Sequence, residues 1–257
     1  MGSLETARAG VEASCMPSTK PSSNLHVRPA RLADVPRLVA LNAAAYPDLI
    51  EDGVVFDAAQ LTAQQAVFPE GQLVAERDGV VVGAIATLIV PSSEALRPHT
   101  WAQITSYGTF ACHEPRADAL YLADVYSDPQ AAGTGVGGAL YAALFRLCER
   151  KRLARVVAGG RLWGYSEAAG TVAPEVYADE VIAGKRRDRV FTSQLRAGFE
   201  YRGILPGYLD DWRSAAFATL LVWENERARG VGPDPAREQS REIGASIFDH
   251  FRRDRLS

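Results

Sequence analysis

Between Leu120 and Gly138 the chain reads LYLADVYSDPQAAGTGVGG, and no other stretch restricts its fold as tightly. Leu120, Leu122 and Val125 are apolar and β-prone, with Tyr121 and Tyr126 between them, so the segment opens as a strand. Asp128-Pro129 ends that strand, because proline cannot donate to a sheet ladder. Gly133, Gly135, Gly137 and Gly138 follow in close succession, with Ala132 as another small residue. LYAALFRLCER then places Leu140, Leu144 and Leu147 on one helical stripe. A strand, a glycine-rich turn and a helix start together build an anion site. Glycines let backbone N–H groups approach a phosphate, and the helix N-terminus adds partial positive charge.

The remainder of the sequence sets bounds on what surrounds this site. A chain of 257 residues can bury one generous core or two small ones. A net charge of −3 gives no electrostatic case for nucleic acid or for an anionic membrane. No apolar run approaches the roughly 20 residues that span a bilayer, and the N-terminus lacks the apolar core of a secretory signal. Gly2 and Thr6 do fit the short N-myristoylation pattern, one that recurs by chance. Cys15, Cys112 and Cys148 share no metal-ligand spacing, and an odd count argues against a disulfide framework. The expectation is a cytoplasmic protein that holds no metal.

Residues 1–24 read as a flexible lead-in. LHVRPA predicts a strand and RLADVPRLVALNAAAYPD a helix, capped by Asp34 and carrying Val35, Leu38, Val39 and Leu41–Asn42 on its apolar face. A second helix is expected over Ala58–Val67. QLVAER and VVVGAIATLIV flank Asp78-Gly79, the pair that two-residue hairpin turns favour. Thr100 can cap a short helix through Trp101–Ser106. Beyond the glycine loop's helix, ARVVAGG predicts a buried strand, followed by a long excursion with a helix at PEVYADEVIAG. VFTSQLRAGF is a helix ended by Gly198, and EYRGILPGYL and AAFATLLVWEN are two further strands. Residues 227–257 form a linker and an amphipathic helix with Ile243, Ile247, Phe248 and Phe251 at helical spacing, suited to packing on the domain or on a second copy in a homodimer. The whole is an α/β arrangement: a mixed, mostly antiparallel central sheet flanked by helices, with a helical excursion after the fifth strand.

This order, with a glycine loop after the fourth strand, resembles the GCN5-related N-acetyltransferase (GNAT) superfamily from about Val27 to Asn225, which places one such domain over residues 25–226. The superfamily loop reads Arg or Gln, two residues, Gly, one residue, then Gly or Ala. Gln130, Gly133 and Gly135 obey it literally; Ala132, Gly135 and Gly137 break its first position but put Pro129 and the helix at Tyr141 at the family's offsets, and this second register is preferred. The resemblance implies acetyl-CoA, or another acyl-CoA, as co-substrate. Its contacts would come from Val125, Tyr126, Ser127, Ala132, Gly133, Thr134, Gly135, Val136, Gly137 and Gly138, with a splay beside the fourth strand admitting the pantetheine arm. PHTWAQITSYGTFACHEPRADALYLADV, RVVAGGRLWGY and FTSQLRAGFEYRGILPGYLDD are also similar to the acetyltransferase-like module fused ahead of carbon–nitrogen hydrolases in some bacterial proteins; this chain is expected to be a free-standing relative.

Acetyl transfer to an amine needs a base, a donor to polarise the thioester carbonyl and an acid for the leaving thiolate. The family's carbonyl donor is a backbone N–H of the fourth strand, here Val125 or a near neighbour. Its tyrosine acid falls, counting back from Gly198-Phe199, on Gln194, which has no acidic proton. Asp124 in the fourth strand and His113 just before it are the expected bases. His99, His26 and His250 have weaker claims. Tyr121, Tyr165 and Tyr208 are candidate acids, Thr105 is a small polar candidate, and Arg161 with Tyr165 would bind the acceptor, Arg161 by gripping a carboxylate. The expected activity is acetyl transfer to a small-molecule amine. Two other readings stay open here: a GNAT-like malonyl-CoA decarboxylase or S-acyltransferase working with a carrier protein, and a CoA-binding sensor without catalysis.

Overall fold

Seven strands among the described residues lie in one sheet in the order β1-β2-β3-β4-β5-β7-β6. They are β1 (Leu25–Pro29), β2 (Leu73–Arg77), β3 (Val80–Val90), β4 (Ala119–Ser127), β5 (Arg155–Arg161), β6 (Glu200–Leu205) and β7 (Ala218–Glu224). The computed structural model describes residues 24–49 and 55–228. The lead-in, the Gly2–Thr6 pattern and the amphipathic tail fall outside those residues. Every neighbouring pair is antiparallel except β4 with β5, which is parallel. Asp78-Gly79 makes the β2–β3 hairpin, Asp78 at φ 51° and Gly79 at φ 81°, which is the twist a two-residue turn requires. β3 is apolar nearly throughout because both of its faces are covered.

Helices cover both faces. Val35, Leu38 and Leu41 of α1 (Val35–Ala45), Leu61 of α2 (Ala58–Val67) and Ile104 of α4 (Trp101–Thr105) join one core cluster. On the other face lie α5 (Val136–Arg150), α6 (Pro174–Ile182) and α7 (Arg189–Ala197), contributing Leu140, Leu144 and Leu147, Tyr177 and Phe191. Each fully buried leucine of the α5 stripe adds about 1.5–3 kcal/mol of transfer free energy. A four-residue helix, α3 (Ser92–Ala95), precedes α4 and carries no sequence signal of its own. Thr100 caps α4 as expected, its hydroxyl accepting the Gln103 N–H.

Asp34 departs from its expected role. A 3₁₀ turn over Leu32–Asp34 runs straight into α1, leaving Asp34 helical and its carboxylate turned back from the helix. That carboxylate accepts both terminal nitrogens of Arg28, at 2.7 and 3.0 Å, and the Arg31 N–H. Arg28 also donates to Glu76 at 2.8 Å, so one guanidinium ties β1, β2 and the entry to α1 together.

The Arg28 hydrogen bond holds the Asp34 carboxyl below its ordinary 3.8. Its contribution is therefore fully present above pH 3.8 and lost as pH falls through the lower folded value. Asp34→Asn should cost about 1.5–3 kcal/mol in urea unfolding at pH 7, shrinking as the pH is taken below 3.8. A cost independent of pH would remove the ion pair from this account.

Candidate active site

β4 and β5 pair only over Ala119–Leu122 with Arg155–Ala158. Beyond that point β4 runs on to Ser127 and β5 to Arg161 without partnering each other, although β3 and β7 hold their outer edges. A bulge assists the parting: Thr87 faces Leu122 and Ala86 faces Asp124, so Ala123 is an extra residue in β4. Carbonyls at the open edge still need donors. The Trp101 indole N–H donates to the Ala123 carbonyl at 3.0 Å, and the Tyr46 hydroxyl lies 3.1 Å from the Val125 carbonyl. The gap is a cleft of about 890 Å³, walled by β4, β5, the first turn of α5, and α7.

At one end stands the glycine loop. Gly133 and Gly135 have φ of 75° and 89°, values that a side chain resists, and Gly135 is the N-terminal cap of α5. The N–H groups of Gly133, Gly135, Val136, Gly137 and Gly138 have no acceptor among the described residues. Gly137 and Gly138 line the cleft, and a Cβ on either would meet nothing within 4 Å. Bare backbone donors at a helix N-terminus thus face open space. Arg77 of β2 holds the loop in place, giving one nitrogen to the Thr134 hydroxyl and another to the Thr134 carbonyl, each at 2.9 Å. Ala132 is exposed and its side chain has nothing to offer an anion.

Along the α7 wall, Gln194 Oε1 and Thr192 Oγ1 are buried without a hydrogen-bond partner, and both residues line the cleft. Two orphaned acceptors beside a row of free amide donors suit a long ligand with phosphates at one end and amide N–H groups along its arm. The donor set fits acyl-CoA.

The opposite side carries a buried carboxylate. Asp124 Oδ1 accepts the Tyr46 hydroxyl at 2.6 Å and Oδ2 accepts the Asn42 amide at 3.0 Å. Asn42 is itself fixed by the Phe56 N–H at 2.8 Å. Burial raises the Asp124 pKa, opposed by those two hydrogen bonds and by Arg161. Arg161 lies over the Tyr46 ring at 5.1 Å and bonds Asp211 at 3.0 Å, so a carboxylate of the protein already occupies part of its fork. In the sequence Asn42 and Tyr46 show only as a polar residue on an apolar helix face with a tyrosine one turn on.

His113 is not in the cleft. It lies against the hairpin side, stacked on Phe68 at 4.7 Å, and its Nδ1 accepts the Ile89 N–H at 3.0 Å, which makes it a structural histidine rather than a base. Tyr165 is also displaced, packed between Tyr177 and Phe217 with its hydroxyl on the Val172 carbonyl. Trp163, Glu167 and Tyr177 of the excursion line the cleft in its place. Thr105 is consumed by the Trp101 carbonyl and the Gly108 N–H. Tyr208 does line the cleft, and its hydroxyl lies 2.9 Å from that of Tyr121, which is fully buried. Among the described residues no three His, Cys, Asp or Glu side chains converge as metal ligands.

Comparison with known proteins agrees with this geometry. Residues 36–164 match the family model of the Acetyltransferase (GNAT) family. The chain is 31% identical over 201 residues to Uncharacterized N-acetyltransferase YkwB of Bacillus subtilis, covering 78% of this chain and 89% of that one. It is 34% identical over 159 residues to Probable hydrolase YhcX of the same species, spanning 62% of this chain but only 31% of that longer protein. Among solved structures, the loading GNATL domain of CurA from Lyngbya majuscula superposes with a TM-score of 0.66 at 20% identity, over 78% of this chain and 97% of its own. The GphF GNAT-like decarboxylase in complex with isobutyryl-CoA gives 0.65 at 23% identity, over 77% and 98%. At those identities the two structures speak for the fold.

Gly159 is the ledge on which the Tyr208 ring rests, since a Cβ there would collide with the ring. Gly159→Ala should lose about 1–3 kcal/mol of stability in urea unfolding and shift the near-ultraviolet tyrosine signal. An alanine accepted without cost would mean that Tyr208 is not seated there.

Proposed function

Because the chain belongs to the GNAT family of acetyltransferases, we propose that it moves an acetyl group from acetyl-CoA to an amine of a small molecule. The observation that carries this reading is the parted β4–β5 cleft, with free amide donors at one end and a hydrogen-bonded carboxylate inside it. In this reading the pyrophosphate rests on the amides of Gly133–Gly138, where the helix end favours negative charge. The pantetheine arm follows Val125, Tyr126 and Ser127, with Gln194 and Thr192 accepting from it. Bound acyl-CoA supplies the activated thioester. In this reading a backbone N–H of β4 polarises the thioester carbonyl, at Val125 or a near neighbour, the Val125 N–H itself acting on the Asp124 carboxylate.

Asp124 is read as the acceptor anchor. A cationic amine needs a counter-charge on entering the cleft, and Tyr46 and Asn42 hold this carboxylate in one orientation. Arg161, half engaged by Asp211, is left to meet polar groups elsewhere on the acceptor. The protein would act without a metal, in the cytoplasm.

A second reading rests on Gln194, which stands where the family has a proton-donating tyrosine. A malonyl-CoA decarboxylase or a carrier-protein S-acyltransferase does not begin by deprotonating an amine. The likeness to the GphF decarboxylase is one of fold, so chemistry must decide: malonyl-CoA converted to acetyl-CoA without an amine favours this alternative.

Isothermal titration should detect acetyl-CoA binding; no binding at sub-millimolar protein would sink the acyltransferase reading. Gly138→Val should weaken that binding by about tenfold or more, about 1.4 kcal/mol, by placing methyl groups between helix and phosphate. Asp124→Asn should leave acetyl-CoA affinity intact and lower kcat/KM for the amine by about 100-fold, read by free-thiol release across an amine panel. Equal losses in both quantities would place Asp124 in the fold rather than at the acceptor.

A further inference from the structure

The amine must lose a proton before it attacks, and the structure contains a path for it. Tyr208, in the connection between β6 and β7, lines the cleft. Its hydroxyl lies 2.9 Å from the Tyr121 hydroxyl, which lies 2.8 Å from His99 Nε2. His99 Nδ1 lies 2.7 Å from the Arg97 carbonyl. These three contacts fix the direction of the chain. A carbonyl only accepts, so Nδ1 carries the hydrogen of the neutral ring and Nε2 is a bare lone pair. Tyr121 must then donate to Nε2, and Tyr208 must donate to Tyr121. The Tyr208 oxygen is left with lone pairs and no hydrogen to offer the cleft.

From this polarity we infer that Tyr208, Tyr121 and His99 form a relay that withdraws the acceptor's proton from the cleft, with His99 as the terminal base. The inference rests on the acyltransferase reading. An ammonium N–H bond breaks as a new O–H bond forms at Tyr208. The former Tyr208 proton passes to the Tyr121 oxygen, and the former Tyr121 proton to His99 Nε2. The positive charge moves from the ammonium to the imidazolium, and the amine keeps the electron pair with which it attacks the thioester carbon. His99 is partly exposed, so it can return the proton to water.

The surroundings agree. The titratable groups facing His99 are Tyr121 from β4 and Tyr208 from the β6–β7 connection, with ring centres at 5.4 and 5.9 Å. Burial lowers the His99 pKa from its ordinary 6.5, which keeps the ring neutral at pH 7. Burial raises both phenols, and Asp124 raises Tyr208 further from across the cleft, so neither ionises on its own. Asp124 complements the relay: each of its oxygens already accepts a protein donor, and it offers charge to the ammonium. In the relay Tyr208 is the catalytic residue, and Tyr121 and His99 act through it.

Two measurements on the full chain test this. With ¹⁵N-labelled histidine, the His99 signals being picked out among the four histidines by His99→Gln, His99 should be the Nδ1–H tautomer at pH 7 and titrate below 6.5; Tyr121→Phe should keep that tautomer, which the Arg97 carbonyl sets, and shift the Nε2 resonance by removing its donor. An Nε2–H ring in the unmodified protein overturns the inference, whatever the acceptor. With acetyl-CoA and a primary aliphatic amine, Tyr121→Phe and His99→Gln should slow transfer about 100-fold and abolish the acid limb of kcat/KM, while transfer to hydroxylamine, already neutral at pH 7, falls less than about threefold. Equal losses for the two nucleophiles, or an unmoved acid limb, also overturn it. Failure of the acyltransferase reading would show separately, as absent acetyl-CoA binding in calorimetry.

Discussion

Two parallel strands that stop pairing halfway along their length carry a cost, because each backbone group past the parting loses its ladder partner. β4 and β5 part after Leu122 and Ala158, and the remaining architecture is arranged around that loss. β3 and β7 hold the outer edges over the full length of both strands, so the gap opens without the sheet falling apart. Trp101 supplies a donor to the Ala123 carbonyl, and the Tyr46 hydroxyl, whose proton goes to Asp124, lies 3.1 Å from the Val125 carbonyl. Both side chains reach across from helical segments on one face, α4 and the end of α1, and the residues that repair the sheet therefore also build the cleft wall.

The cleft divides its labour by charge. At the α5 end there is no charged side chain in the glycine loop; the positive potential comes from backbone, held in position by Arg77 through Thr134. Toward the acceptor side, Asp124 is held by neutral donors while Arg161 is turned to Asp211. Had Arg161 paired directly with Asp124, the carboxylate would have been neutralised before any amine arrived. Gly159 and Gly160 permit a second division at the floor of the cleft. A side chain at the first would displace Tyr208 and at the second Gln194, so these two adjacent glycines admit the polar groups of both walls.

How much of this was legible follows from which signals are local. The Asp78-Gly79 hairpin, the Ala58–Val67 helix, the Pro174 helix start and the glycine loop before α5 depend on near neighbours in sequence, and they lie where those neighbours direct. Asp124 was readable as a cleft residue because the glycine loop located β4. The histidines were not separable. His113 and His99 both sit in the stretch leading to β4, and nothing local says that one turns toward Phe68 and the other toward Tyr121. Asp34 differs for another reason: its position at the helix start is legible, but the competing partner is a near neighbour, the Arg28 guanidinium six residues back on β1. Tyr165 and Tyr208, like the two histidines, differ only in what the distant chain packs against them.

The central claim is that the parted strands and the bare turn of α5 form one binding surface for acyl-CoA. Backbone hydrogen exchange measures that surface directly, because the Gly133, Gly135, Val136, Gly137 and Gly138 amides lack protein acceptors among the described residues. Without ligand, the amides of Gly133–Gly138 should exchange rapidly beside a slowly exchanging β3. Saturating acetyl-CoA should slow them, together with those of Val125–Ser127, and leave β1 and β2 unchanged. Exchange at Gly133–Gly138 that stays fast under saturating acetyl-CoA, or protection confined to another face of the sheet, would contradict the account.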